Sequence, residues 1–189
     1  MTKFLLFLLV LVAATLIWLV TRPAAPKPYA DEYRLALEAH PGSAAGIETG
    51  LQRFTEAYHD LTSPDVGDHV AALYADPLYF NDSLKTFRSR QELVDYMTAT
   101  ASMLDESTVE IQQILRDGND VFVRWTMTFA SSTMGRKITS ESIGMTHLRF
   151  DADGRILLHQ DFWDSASGLY RNLPVVGYLL KKIDQTMDG

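Results

Sequence analysis

Apolar and polar positions divide the chain into two parts. From Phe4 to Val20 (FLLFLLVLVAATLIWLV) the residues are apolar without a formal charge or a polar face. At 1.5 Å per residue, about 17 residues reach about 25 Å, the short end of a bilayer crossing. Lys3 precedes the run, Arg22 and Lys27 follow it, and Trp18 lies near its end, where interfacial aromatics gather. The pattern predicts a single-pass transmembrane anchor over residues 1–22. Thr21-Arg22-Pro23 is a poor cleavage context, so the anchor is expected to stay on, with the body on the non-cytoplasmic side. Ala24-Ala25 nearby keeps a cleaved leader as the alternative. Residues 21–31, with Pro23, Pro26 and Pro28, predict a semi-rigid extended spacer.

In the body the apolar period is first helical and then alternating. Asp31–His40 predicts a short helix ended by Pro41-Gly42, completing a linker segment over residues 23–47. Leu51, Phe54, Ala57, Tyr58 and Leu61 form a helical stripe, and Val70, Leu73 and Tyr74 a shorter one that Pro77 stops. Leu78–Asp82 reads as a short strand. Ser89 and Glu92 fit a capping box, and the helix they open carries Leu93, Tyr96, Met97 and Ala101. Strands are then predicted over residues 109–115, 121–129, 138–150 and 155–163, with turns at 117–120, around Gly135 and at 151–154. In the second, Val121, Val123, Trp125, Met127 and Phe129 alternate with Phe122, Arg124, Thr126 and Thr128, so one face is buried. The tail from Leu173 to Ile183 carries Lys181-Lys182 and reads as a segment resting on lipid, closing a pocket mouth or packing on a second copy. Helices first and hairpin-linked strands afterwards predict an α+β domain over residues 48–189. Its helices would pack on one face of a strongly curved antiparallel sheet, leaving a cone-shaped pocket.

Composition narrows the chemistry. With 189 residues, 47% of them hydrophobic, the chain suits one domain plus an appendage. It has no cysteine, which excludes disulfides, thiolate metal sites and a cysteine nucleophile. A formal net charge of -7 argues against nucleic acid as the main partner. Four residues after His59 stands Ser63, so no metal pair is indicated there, and neither a metal nor a cofactor is expected. Asn81-Asp82-Ser83 fits a glycosylation triplet.

Three stretches resemble the nuclear transport factor 2-like superfamily, in its SnoaL-like and ketosteroid isomerase-like branch. They are Tyr74-Ala75-Asp76 with Phe80-Asn81-Asp82, Ser89–Leu93 leading to Tyr96-Met97, and Leu148–Ile156 followed by Phe162-Trp163. The resemblance covers roughly residues 48–165. The resemblance implies a curved sheet enclosing a pocket and places Asp82 where the isomerase-like pattern has its proton-shuttling aspartate. It also makes His159, Asp161 and Trp163 pocket-facing, with Asp161 as candidate acid or base and His159 as its relay. Where the isomerase keeps the second aspartate of its oxyanion hole, this chain has Thr146; the tyrosine of that hole falls on Phe54 or Tyr58. Steroid isomerisation is therefore not implied. Candidate ligand contacts are Tyr58, Tyr96, Trp125, Met127, Thr146 and Trp163. His147 should point away from Thr146, to the other face.

Three functions follow as expectations. The first is a membrane-tethered module binding a small apolar molecule. The second is a cofactor-independent isomerase, cyclase or epoxide hydrolase using Asp82, Asp161 and His159. The third is a scaffold that forms a homodimer through the outer sheet face.

Overall fold

The computed structural model describes residues 2–21, 29–133 and 136–187. It divides into two units, Met1–Glu32 and Tyr33–Gly189. In the first, helix α1 (Thr2–Thr21) covers the apolar run. Its described side chains, residues 10–19, are all exposed, Ile17 by 63%. Among the described residues no helix is long and apolar enough to cross a membrane. Ten residues of helix rise only about 15 Å, and the ends of the anchor expected at 4–20 lie outside the described side chains. The spacer expected over 21–31 lies mostly outside the described residues, as does the turn at Gly135.

Helix α2 (Tyr29–Ala39) leads into the second unit. There follow a 3-10 turn (Ala44–Gly46), α3 (Ile47–His59), α4 (Val66–Leu73), β1 (Tyr74–Asn81), β2 (Thr86–Phe87) and α5 (Arg90–Ala101). Four long strands come next: β3 (Glu106–Asp117), β4 (Asp120–Thr133), β5 (Arg136–Phe150) and β6 (Ile156–Trp163). The short α6 (Ser165–Gly168) and α7 (Pro174–Met187) close the chain. The strands form one curved sheet in the order β2-β1-β6-β5-β4-β3. This is the expected α+β architecture, with one departure: β1 and β6 run parallel, whereas the other neighbours are antiparallel.

Residues of helical period seal the concave face. In α3, Ile47, Leu51, Phe54 and Ala57 are buried, spaced four, three and three apart, so they form one stripe. They join Val70 and Leu73 of α4, Leu93 of α5, and Val121, Val123, Leu148, Phe150 and Ile156 of the sheet in a single core. Close approach of α3 depends on Gly50, where a Cβ would lie 2.2 Å from the Phe150 ring.

Local signals misplace several boundaries. Tyr74 begins β1 instead of ending α4, and Pro77 lies inside the strand after a cis Asp76-Pro77 bond. Pairing with β6 skips from Tyr74–Ile156 to Tyr79–Leu158, so tertiary pairing overrides the proline stop. The Ser89 side chain makes no cap bond, so the expected capping box is not formed. The two-residue β2 has no period to detect.

The short helix expected in the linker belongs to the body from Tyr33 onwards. Tyr33, Ala36 and Leu37 pack on Tyr79 and Leu158. Arg149 fixes the end of α2, donating from one guanidinium nitrogen to the carbonyls of Leu37 (2.7 Å) and His40 (3.0 Å). Its remaining nitrogens bind Asp120, Nε to Oδ1 at 2.5 Å and Nη2 to Oδ2 at 3.2 Å. On the same face His147 is buried, with Nε2 2.6 Å from Asp120 Oδ1 and Nδ1 2.5 Å from the Tyr33 hydroxyl. That is the outward orientation expected for His147.

Candidate functional site

Between the helices and the concave face lies a cavity of about 440 Å³. Helix α3 contributes Phe54 and Tyr58, and α5 contributes Tyr96, Met97 and Thr100. The sheet supplies Phe80, Val109, Trp125, Met127, Phe129, Thr146, Asp161 and Trp163. Leu84 and Lys85, from the turn joining β1 to β2, and Leu169, beyond α6, complete much of the remainder. Alternation explains the sheet contribution. Trp125, Met127 and Phe129 are two apart on β4, Asp161 and Trp163 two apart on β6, and each set faces inward. Gly144 opposite Trp125 makes room for the indole, because a Cβ there would lie 2.4 Å from its ring.

Polar side chains from β1, β4, β5 and β6 form one connected chain. The Trp125 indole N–H donates to Thr146 Oγ1 (2.8 Å), and the Thr146 hydroxyl donates to Asp161 Oδ1 (2.5 Å). The same oxygen lies 2.9 Å from His159 Nε2. His159 is fully buried behind the wall, with Nδ1 2.7 Å from the Tyr74 hydroxyl, which in turn lies 2.5 Å from that of Tyr58. A carboxylate only accepts, so His159 Nε2 carries a proton; when the imidazole is neutral, Tyr74 donates to Nδ1 and Tyr58 to Tyr74. Asp161 Oδ2 has no hydrogen-bond partner among the described residues.

Asp82 is held differently. Its Oδ1 accepts from the amides of Leu84 (2.8 Å) and Lys85 (2.7 Å), and its Oδ2 from the Tyr96 hydroxyl (2.5 Å). Its carbonyl accepts from the Trp163 indole (2.7 Å). Asp82 therefore pins the turn in which Ser83 has φ 69°. Neighbouring Asn81 is buried and bonds Thr86, Ser83 and Gln160, so the glycosylation triplet is inaccessible.

The tyrosines remain protonated throughout the ordinary pH range. Burial pushes the Tyr58 phenol far above its usual value, and the charges of Asp161 and Asp82 add to this. Tyr74 is raised by burial and by Tyr58, and Tyr96 by burial and by Asp82.

The structure brings Tyr58, Asp82, Tyr96, Trp125, Met127, Thr146, Asp161 and Trp163 onto one cavity wall. It sets His159 behind that wall. Tyr74, the hidden link between His159 and Tyr58, escaped the sequence as part of the site because it reads as a helix end. Extending the period of Leu78 and Phe80 back across Pro77 would have found it. Among the described residues no cluster of side chains suits a metal ion.

The family model of the SnoaL-like domain matches residues 51–159. Solved structures share the fold at low identity. An LEH-like epoxide hydrolase of M. tuberculosis is 18% identical, with a TM-score of 0.54, covering 78% of this chain and 98% of its own. A Catenulispora acidiphila protein of ketosteroid isomerase-like fold, solved with trimethylamine, is 18% identical at TM-score 0.54, covering 65% and 91%. An NTF2-like protein of unknown function from Exiguobacterium is 17% identical at TM-score 0.51, covering 61% and 98%. Among curated proteins none matches this chain.

Proposed function

The chain belongs to the SnoaL-like domain family, and from that premise we propose that it holds a small apolar molecule in its cavity while its N-terminal helix tethers it to a membrane. The observation that carries the reading is the hollow of about 440 Å³, walled by aromatic and aliphatic side chains with a few convergent polar groups. That size and lining are typical of ligand sites. The tether is supported by the uncharged run of residues 4–20 and by the exposure of every described side chain of α1. The expected non-cytoplasmic side belongs to the same proposal.

Native mass spectrometry of the full chain released from lipid nanodiscs tests the pocket. One small apolar molecule retained per chain is the expected result. No retained molecule, together with no binding from a panel of hydrophobic probes, overturns it. For the tether, carbonate extraction of membranes should leave the chain in the pellet.

A second reading is an acid–base enzyme without a cofactor, of the isomerase, cyclase or epoxide-hydrolase kind. Its support is the bare Oδ2 of Asp161, whose other oxygen is fixed by Thr146 and His159. Asp82, with both oxygens bonded, suits a positioning part better. Turnover of lipophilic epoxides or β,γ-unsaturated ketones that vanishes in Asp161→Asn would favour this reading; no turnover of either class counts against it.

The scaffold reading draws on Ile143, Met145 and Phe162, which leave an apolar surface on the outer face. A dimer in sedimentation equilibrium that dissociates in Ile143→Glu would support it.

A further inference from the structure

Resting on the reading of the cavity as a ligand site, we infer that it selects for hydrogen-bond donors: its fitting ligand is a lipophilic amine whose ammonium meets Asp161.

The Trp125 indole is used on Thr146, and the Thr146 hydroxyl on Asp161. The Trp163 indole is used on the Asp82 carbonyl, and the Tyr96 hydroxyl on the Asp82 carboxylate. With the His159 imidazole neutral, Tyr74 gives its hydrogen to Nδ1 and Tyr58 gives its own to Tyr74. The Thr100 hydroxyl is used on Tyr96. Of the carboxylate oxygens in the lining, Asp161 Oδ2 is the one without a partner among the described residues. The Asp161 side chain is 14% exposed, and its unpartnered Oδ2 opens on the hollow, where a bound ligand would replace water. Lys85 is exposed at the turn, and its ammonium lies 5.0 Å from the Tyr96 ring centroid, so its charge is shared between solvent and that ring.

A ligand carbonyl, ether or carboxylate at this end would set lone pair against lone pair and leave a desolvated acid unpaired. An alcohol supplies one donor. An ammonium supplies three together with the opposite charge. With the indole, phenol and threonine hydrogens engaged, the exposed Lys85 ammonium at the turn is what remains to meet a developing oxyanion. A reaction here would have Asp161 take a proton from a bound O–H or N–H.

Three probes of one hydrocarbon body separate the cases: adamantylmethylamine, adamantylmethanol and adamantane carboxylate. Each is titrated by calorimetry into the full chain in phosphatidylcholine nanodiscs at neutral pH, with empty nanodiscs as the blank. The amine should bind about tenfold or more tighter than the alcohol, as for a hydrogen bond to a charged group. The carboxylate should bind weakest. In Asp161→Asn, checked for folding by circular dichroism, the gap between amine and alcohol should shrink below about threefold. An alcohol or carboxylate that equals or exceeds the amine in the unmutated chain overturns the inference while keeping the pocket. Failure of all three probes to bind defeats the pocket reading itself. The ranking in the unmutated chain decides alone, so a misfolded variant rescues nothing.

Discussion

The sheet carries the same three-residue chain on each of its faces. Outside, Tyr33, His147 and Asp120 are linked hydroxyl to Nδ1 and Nε2 to carboxylate; inside, Tyr74, His159 and Asp161 are linked through the same atoms. The histidines sit on adjacent paired strands, His147 opposite Gln160 and His159 opposite Leu148. What differs is the far side of each carboxylate. Asp120 meets the Arg149 guanidinium at both oxygens, and α2 covers the cluster. Asp161 has no guanidinium and one bare oxygen on a cavity. A histidine–aspartate pair therefore says little about chemistry. Unused acceptor capacity without a matched cation is what separates the cavity carboxylate from the structural one.

The largest expected effect attacks the outer chain. Arg149→Ala leaves Asp120 uncompensated and uncaps the Leu37 and His40 carbonyls, which should cost about 3 kcal/mol in urea unfolding. Affinity for the adamantyl amine should hold within about twofold, since roughly 0.4 kcal/mol is the most that a distant site transmits. Equal loss of binding would mean that the two faces are not independent. Next in size is Gly144→Ala. The new Cβ would press on the Trp125 ring, with a stability loss of about 1–3 kcal/mol. Because the indole would leave Thr146, amine affinity should fall too; a variant as stable as the parent and binding as well would show that the wall is soft.

Acidification should find the outer chain first. Burial holds the His147 imidazole below its ordinary 6.5, against the pull of Asp120. The unfolded chain therefore takes up that proton before the folded one. The stability due to neutral His147 is complete above about 6.5 and is lost as pH falls from there towards its folded value. Asp120 comes later: burial alone would raise it, but Arg149 and His147 hold it below 3.8, so its share is complete above 3.8 and fades as pH drops beneath that. Thermal melting across this range should show a first step that His147→Gln removes. An unchanged profile in that variant assigns the step elsewhere, with His40 the next candidate because burial lowers it as well.

How far the sequence discloses all this depends on how local each signal is. The stripe of α3 and the alternation of β4 and β6 are periodic, so the inward set Trp125, Met127, Asp161 and Trp163 can be read directly. Asp120 looks like a turn residue and Arg149 like an exposed strand residue, because their bond joins positions 29 apart in the chain. Tyr74 is hidden by Pro77, whose local preference yields to the pairing of β1 with β6. Whether an acid keeps a bare oxygen is a property of a whole neighbourhood. No spacing rule distinguishes Asp82 from Asp161.

Those two acids supply the finest test. Tyr96→Phe removes the hydroxyl that Asp82 Oδ2 accepts and changes little else on the wall. If Asp82 serves mainly to pin its turn, the amides of Leu84 and Lys85 still hold Oδ1, and the loss in urea unfolding should be about 1 kcal/mol or less. The freed Oδ2 would then be a second bare acceptor on the cavity, resembling Asp161. Amine affinity should rise slightly, by about twofold, as one more lone pair becomes open to the ammonium. A fall in affinity would instead make the Tyr96 hydroxyl a ligand contact in its own right. The contrast between bonded and bare carboxylates would then give way to one between the pocket's two ends.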